Sequence, residues 1–319
     1  MAKDSTLIAQ PEFRDAKRDL DEVVRQCGLV VLGKQQRLRL ALSCMVAGGH
    51  LLIEDIPGVG KTTMAHALAC AFGLKYQRIQ FTSDLLPADI LGAAIFDKKN
   101  SEFVFQAGPI FNQLILADEV NRTTPKTQSA LLEAMEEQQV TVEGNTHPLP
   151  DPFFVIATQN PSHQTGTFPL PESQLDRFLM RLSLGYPDRE AERQLLTGED
   201  RRQMLDTLPA VMPPARLLEL QRSVIDVHIA EPLLDYVQKL LAFSRADNRF
   251  VHGLSPRAGL GLVKAARAWA LVDGRSFVIP EDVQSVLTAV VGHRLSLKND
   301  ANATSEAVAN LLIENVDIL

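Results

Sequence analysis

Apolar residues fall into short, closely spaced runs over the first 187 positions and into helical stripes over the remainder. Leu51, Leu52 and Ile53 form one such run behind Gly48, Gly49 and His50, as a buried parallel strand does. Further strands are expected over 76–81, 114–117, 153–158 and 181–184. Helices are expected over 12–27, 35–46, 64–72, 85–91, from Thr124-Pro125 to about 138, and over 172–180. The segments 93–106 and 140–150 read as hairpins. Strands alternating with helices predict a parallel sheet with helices on both faces. After Tyr186-Pro187 the strand signals nearly stop, and 188–199, 215–226, 231–245, 256–272, 280–293 and 303–314 all read as amphipathic helices. The expectation is an α/β core over 1–187 followed by a smaller all-α domain over 188–319.

Between the first buried strand and the 64–72 helix stands Asp55-Ile56-Pro57-Gly58-Val59-Gly60-Lys61-Thr62-Thr63. Strand, glycine-rich turn and helix together form the context of a phosphate-binding loop, so Pro57, Gly58, Val59, Gly60, Lys61, Thr62 and Thr63 are candidate nucleotide-binding residues. Backbone N–H groups at a helix N-terminus favour an anion. Lys61 can reach the β- and γ-phosphates of a nucleotide, and the Thr62 hydroxyl can complete a Mg²⁺ shell. Asp55 stands where the usual pattern has glycine.

Two more strand ends carry chemistry. The run 114–117 ends on Asp118-Glu119, where Asp118 can face the Mg²⁺ and Glu119 can polarise an attacking water. Any strand can end in acids where it meets solvent, and the loop is what separates the two readings. The run 153–158 leads to Asn160, which either holds the water or the γ-phosphate or caps the turn before Pro161. Arg177 and Arg257, taken singly, read as surface ion-pair formers, whereas Arg122, just after the two acids, is open to a contact between subunits. His147 and His163 fall in polar loops.

A formal net charge of −7 without a basic half argues against nucleic acid as the main partner. Three cysteines are too few for a disulfide framework and match a reducing cytoplasm. No apolar run approaches the ~18 residues needed to span a membrane.

Nearly the whole chain resembles the MoxR-type AAA+ ATPases. The carrying stretches are EDIPGVGKT, FTSDLLPADILG, FQAGPIF, LILADEVNR, LLEAMEEQQVTVEG, FFVIATQNP, FPLPESQLDRFLMRL and SPRAGL. The resemblance implies a P-loop fold with a helical lid, and a helix-2 insert at about 84–106. It makes Lys61 and Thr62 the Walker A pair, Asp118 and Glu119 the Walker B pair, and Asn160 sensor 1. Arg177 becomes the finger that reaches a neighbouring subunit, and Arg257 a sensor 2 reading its own subunit's nucleotide from the lid. It further implies ATP and Mg²⁺, a hexameric homo-oligomeric ring, and a protein client remodelled by a chaperone. A von Willebrand A domain partner and metal or cofactor insertion belong to the same expectation. A nucleic-acid motor or loader and a nucleotide-gated scaffold are the alternatives. The acidic charge counts against the first, and Glu119 with Arg177 counts against the second.

Overall fold

The computed structural model describes residues 11–160, 167–198, 201–300 and 303–318, so His163 lies outside the described residues. Helices α1 (Pro11–Gly28) and α2 (Gln35–Val46) precede strand β1 (Leu51–Glu54) and helix α3 (Lys61–Ala71). Then come β2 (Tyr76–Gln80), α4 (Pro87–Leu91), β3 (Gly92–Asp97), β4 (Glu102–Ala107) and β5 (Leu114–Asp118). Helix α5 (Pro125–Glu137), β6 (Gln139–Val142), β7 (Asn145–Pro148), β8 (Phe154–Gln159), α6 (Glu172–Leu175) and β9 (Met180–Leu182) complete the α/β part. Helices α7 (Arg189–Thr197), α8 (Arg201–Asp206), α9 (Pro214–Ser223), α10 (Glu231–Ala246), α11 (Pro256–Val272), α12 (Pro280–Val291) and α13 (Ser305–Asn315) follow.

Five strands form one parallel sheet in the order β2-β5-β8-β1-β9. Alternation along the strands divides the core. Leu51, Ile53, Leu114, Leu116, Phe154 and Ile156 face α1, α2 and α3 in an apolar cluster that continues without a break into α9–α13. Leu52, Ile115, Ala117, Val155 and Ala157 face the other way, onto Leu131, Leu132 and Met135 of α5. Each fully buried Leu, Ile, Val, Met or Phe among them contributes about 1.5–3 kcal/mol. Register fixes the strand ends together: Ile53 lies opposite Thr158, Ala117 opposite Ala157, and Gln80 opposite Asp118.

The 172–180 helix is a correction. It ends at Leu175, because the chain turns into the sheet edge, where the Leu179 N–H donates to the His50 carbonyl and Phe178 is buried. Helix α8 escaped the sequence reading; its Arg201 reaches the Leu29 carbonyl and its Leu205 is buried. The apolar 29–33 stretch forms turns, with Val30 and Val31 buried beneath them. Both hairpins are present. His147 lies in β7 rather than a loop, its ring stacked on Phe105 at 3.9 Å. Farther along the first hairpin, Phe96 and Phe103 pair edge to face with both rings exposed. Among the described residues no helix is long and apolar enough to cross a membrane.

His50, at the entrance to β1, is held neutral by its partners. Its Nδ1 accepts the Val155 N–H at 3.1 Å, so Nε2 donates to the Met135 carbonyl at 3.2 Å. Burial, first of all, pulls its pKa from 6.5 to about 4. The native state therefore resists a proton that the unfolded chain accepts; this stability is complete above pH 6.5 and is lost as pH falls toward 4. Wild-type protein is expected to lose about 3 kcal/mol more than His50→Asn between pH 7 and pH 4 in urea unfolding. Equal losses in the two proteins would remove His50 from the account.

Candidate functional site

The turn after β1 is built around two left-handed glycines. Gly58 and Gly60 have φ of 85° and 96°, and a Cβ built on either meets no atom within 4 Å. α3 begins at Lys61 with no side-chain cap on its first N–H groups. A clear concave face, free helix-terminal donors and a lysine suit a phosphate chain.

Asp55 has a structural reason to replace glycine. Its Oδ2 accepts the Ser183 hydroxyl (2.9 Å) and the N–H groups of Leu184 and Gly185 (both 2.7 Å), and its Oδ1 accepts the Ile56 N–H at 2.8 Å. Burial pushes its pKa up, but these hydrogen bonds outweigh it and the net direction is down. The loop is thus tied to the segment that leaves β9. Asp55→Ala leaves three backbone donors without their acceptor and is expected to cost roughly 2–4 kcal/mol by denaturant unfolding. A loss within ~0.5 kcal/mol of zero would show the tie to be incidental.

Lys61 is buried, and its ammonium donates to the Asp55 carbonyl, to the Gln159 carbonyl at 3.5 Å and to Asn160 Oδ1 at 3.1 Å. Burial lowers its pKa, opposed by the charges of Asp55, Asp118 and Glu119. Asn160 passes the connection on: its Nδ2 donates to Glu119 Oε1 at 3.1 Å. The first residue of α3 and two residues just beyond the ends of β8 and β5 therefore share one chain of hydrogen bonds. Glu119 itself has φ 58° and ψ 48°, a left-handed conformation that costs a non-glycine residue roughly 1–2 kcal/mol. Its N–H donates to the Thr158 hydroxyl at 2.9 Å, and that hydroxyl donates to Asp118 Oδ1 at 2.6 Å.

Three partners at this site escaped the sequence reading as members of it. Arg78 grips Asp118 Oδ2 through Nε (3.0 Å) and Nη2 (2.7 Å). Gln80 donates to Glu119 Oε2 at 3.1 Å, and Arg122 does so at 2.8 Å. The signal for the first two was available, since positions 78 and 80 share one face of β2 beside β5. Among the described residues no group of three or more His, Cys, Asp or Glu forms a metal cage. Asp118 with the exposed Thr62 fits the sparser kind of Mg²⁺ site that phosphates complete.

Arg177 and Arg257 stand apart from this network. Arg177 leaves the turn after α6, and its Nη1 donates to the Leu132 carbonyl (2.8 Å) and pairs with Glu136 Oε2 (3.0 Å). Arg257, in the first turn of α11, takes the other oxygen of Glu136. None of its hydrogen bonds or ion pairs reaches Lys61, Glu119 or Asn160. The turn that presents Arg177 is stapled by buried Arg294, which binds Asp176 Oδ1 at 2.6 Å and the Phe178 carbonyl at 2.7 Å.

A parallel sheet in this strand order, a glycine-rich loop opening a helix, and paired acids on the neighbouring strand end define an AAA+ ATPase fold. The sequence profile of the ATPase family associated with various cellular activities (AAA) matches residues 50–180, and that of the AAA lid domain matches 242–312. Chaperone MoxR1 of Mycobacterium tuberculosis is 39% identical over 96% of this chain and 82% of its own. Protein MoxR of Paracoccus denitrificans is 32% identical over 95% and 94%. The uncharacterized protein YeaC of Bacillus subtilis is 43% identical over 94% of both chains. A solved structure of a candidate ATPase from Cytophaga hutchinsonii superposes with TM-score 0.85 at 35% identity, covering 96% of each chain. The chain belongs to the MoxR family of AAA+ ATPases.

Proposed function

We propose that the protein is a cytoplasmic, Mg²⁺-dependent ATPase that assembles as a homo-oligomeric ring of six and remodels, matures or activates a client protein. A von Willebrand A domain protein is the proposed partner, and metal or cofactor insertion into the client a proposed outcome. The observation that carries the enzymatic reading is the hydrogen-bonded chain Lys61–Asn160–Glu119, from the start of α3 across the ends of β8 and β5. In this reading the N–H groups of Pro57–Thr63 other than proline's cradle the phosphates, and Lys61 exchanges Asn160 and the Asp55 carbonyl for phosphate oxygens. Asn160 and Glu119 orient a water, and Glu119 takes its proton. Asp118 and Thr62 hold Mg²⁺, which when bound neutralises charge on the phosphates. Arg177 supplies charge across a subunit interface. The chaperone role is supported by the relatives, one of which carries that name over most of its length.

The test is direct. Purified protein is expected to release phosphate from ATP with Mg²⁺ and to stop when the metal is chelated. Lys61→Ala is expected to weaken ATP binding by at least ~10- to 100-fold, because a buried charge-assisted contact disappears. Undiminished ATP binding by that variant would overturn the loop assignment.

A further inference from the structure

Glu136 occupies an unfavourable place for a carboxylate. It lies in the last turn of α5, where the helix dipole presents its negative end. What compensates is a pair of guanidinium groups, one on each carboxylate oxygen: Arg177 from the turn before β9, and Arg257 from α11. Arg177 is fixed a second time by the Leu132 carbonyl, one turn earlier on the same helix. Two formal positive charges against one negative leave a surplus of one at this spot. Arg294 lies close enough to feel the charge of Arg257, but it is buried and matched by Asp176, so it adds no exposed charge. Arg177 and Arg257 keep 30% and 50% of their side chains exposed. The group is therefore a half-built anion receptor: two forked donors, prealigned on an internal carboxylate, with charge left over for an external anion.

We propose that Glu136 is a positioning residue that joins Arg177 and Arg257 into one receptor for a phosphate group of the nucleotide held by the neighbouring subunit. The inference rests on the reading that Arg177 acts across an interface. It adds that Glu136 is what holds the arginine of the helical half to that of the α/β half. It also places Arg257 on the side of the interface that donates arginines, away from its own loop.

The experiment measures ATP turnover by variants and by mixed rings, with subunit exchange checked by a tagged copy. Glu136→Ala is expected to lower kcat roughly 10- to 100-fold, the scale of a misplaced reacting group, while KM for ATP stays within about threefold. Glu136→Gln keeps the shape but loses the charge and should fall between that variant and wild type; its thermal midpoint shows whether folding is intact. Glu136→Ala mixed with Lys61→Ala should recover activity, because the two lesions lie on opposite sides of an interface. Glu136→Ala mixed with Arg177→Ala should not, because both lie on the same side. Wild-type kcat in Glu136→Ala would overturn the proposal. So would recovery with Arg177→Ala, or no recovery with Lys61→Ala while Arg177→Ala and Lys61→Ala complement each other. If that last pair also fails, the trans reading falls first and takes this proposal with it.

Discussion

Arg177→Ala is expected to hydrolyse ATP ~10³-fold or more slowly than wild type while binding it with nearly unchanged affinity. Among the described residues the side chain's hydrogen-bond and ion-pair partners are Leu132 and Glu136 on α5, rather than a member of the Lys61–Asn160–Glu119 chain of its own subunit. An arginine so placed contributes to its own loop's ground-state binding very little. Supplied to a neighbour, it stabilises charge that develops on the transferring phosphoryl group, which is where ~10³–10⁵ in rate resides. Mixing provides the decisive measurement. Arg177→Ala and Lys61→Ala are each expected to be inactive alone, yet a mixed ring contains interfaces with an intact loop facing an intact arginine. Partial return of turnover is the expected result. Silence from mixtures that demonstrably exchange subunits would assign Arg177 to assembly or to its own chain.

Glu119→Gln should bind ATP normally and turn it over at least ~100-fold more slowly, the usual scale for losing a general base. The amide keeps the volume of the side chain and its oxygen can still accept the Asn160 donor, while its NH2 gives up the Gln80 and Arg122 bonds at the other position. What it lacks is the capacity to take a proton. The backbone supports the assignment, since Glu119 is held in a left-handed conformation by the Thr158 hydroxyl on its N–H. Active sites often hold such backbone, though here Ser101, Gln138 and Glu143 also adopt it, in turns and at the end of α5. Gln80 and Arg122 share its second oxygen, so removing either should release that oxygen rather than the base itself. Turnover at the wild-type rate in a clean Glu119→Gln preparation would eliminate Glu119 as the base.

Local pattern reached the sheet, because each buried strand is a short apolar run that needs no distant information to recognise. It also brought forward Glu119 and Asn160, just past the carboxyl ends of their strands, and Lys61, which opens the helix after the glycine-rich turn. Pattern failed where the deciding contact came from far along the chain. The helix expected over 172–180 is cut short by the sheet edge at His50 and by Arg294, more than a hundred positions away. Asp55 looked like a departure from the loop pattern until residues 183–185 arrived to bind it. For Arg257, expected to sense its own subunit's nucleotide, local pattern gave no sign of the Glu136 carboxylate that it shares with Arg177.

The apolar cluster that runs unbroken from the sheet through α2 into α11 also constrains how such a chain can be rebuilt. Ser43 on α2 reaches the Ala265 carbonyl at 3.4 Å, Gln221 reaches the Met45 carbonyl at 2.8 Å, and Arg39 pairs with Asp273. These are joints within one interior, since α1 and α2 come from the front of the chain and α11 from near its end. The helical half is therefore a poor cassette for recombination. A chimera that joins this α/β part to a relative's helices would bring together two surfaces shaped for other partners, and substitutions along α2 and α11 have to be inherited together.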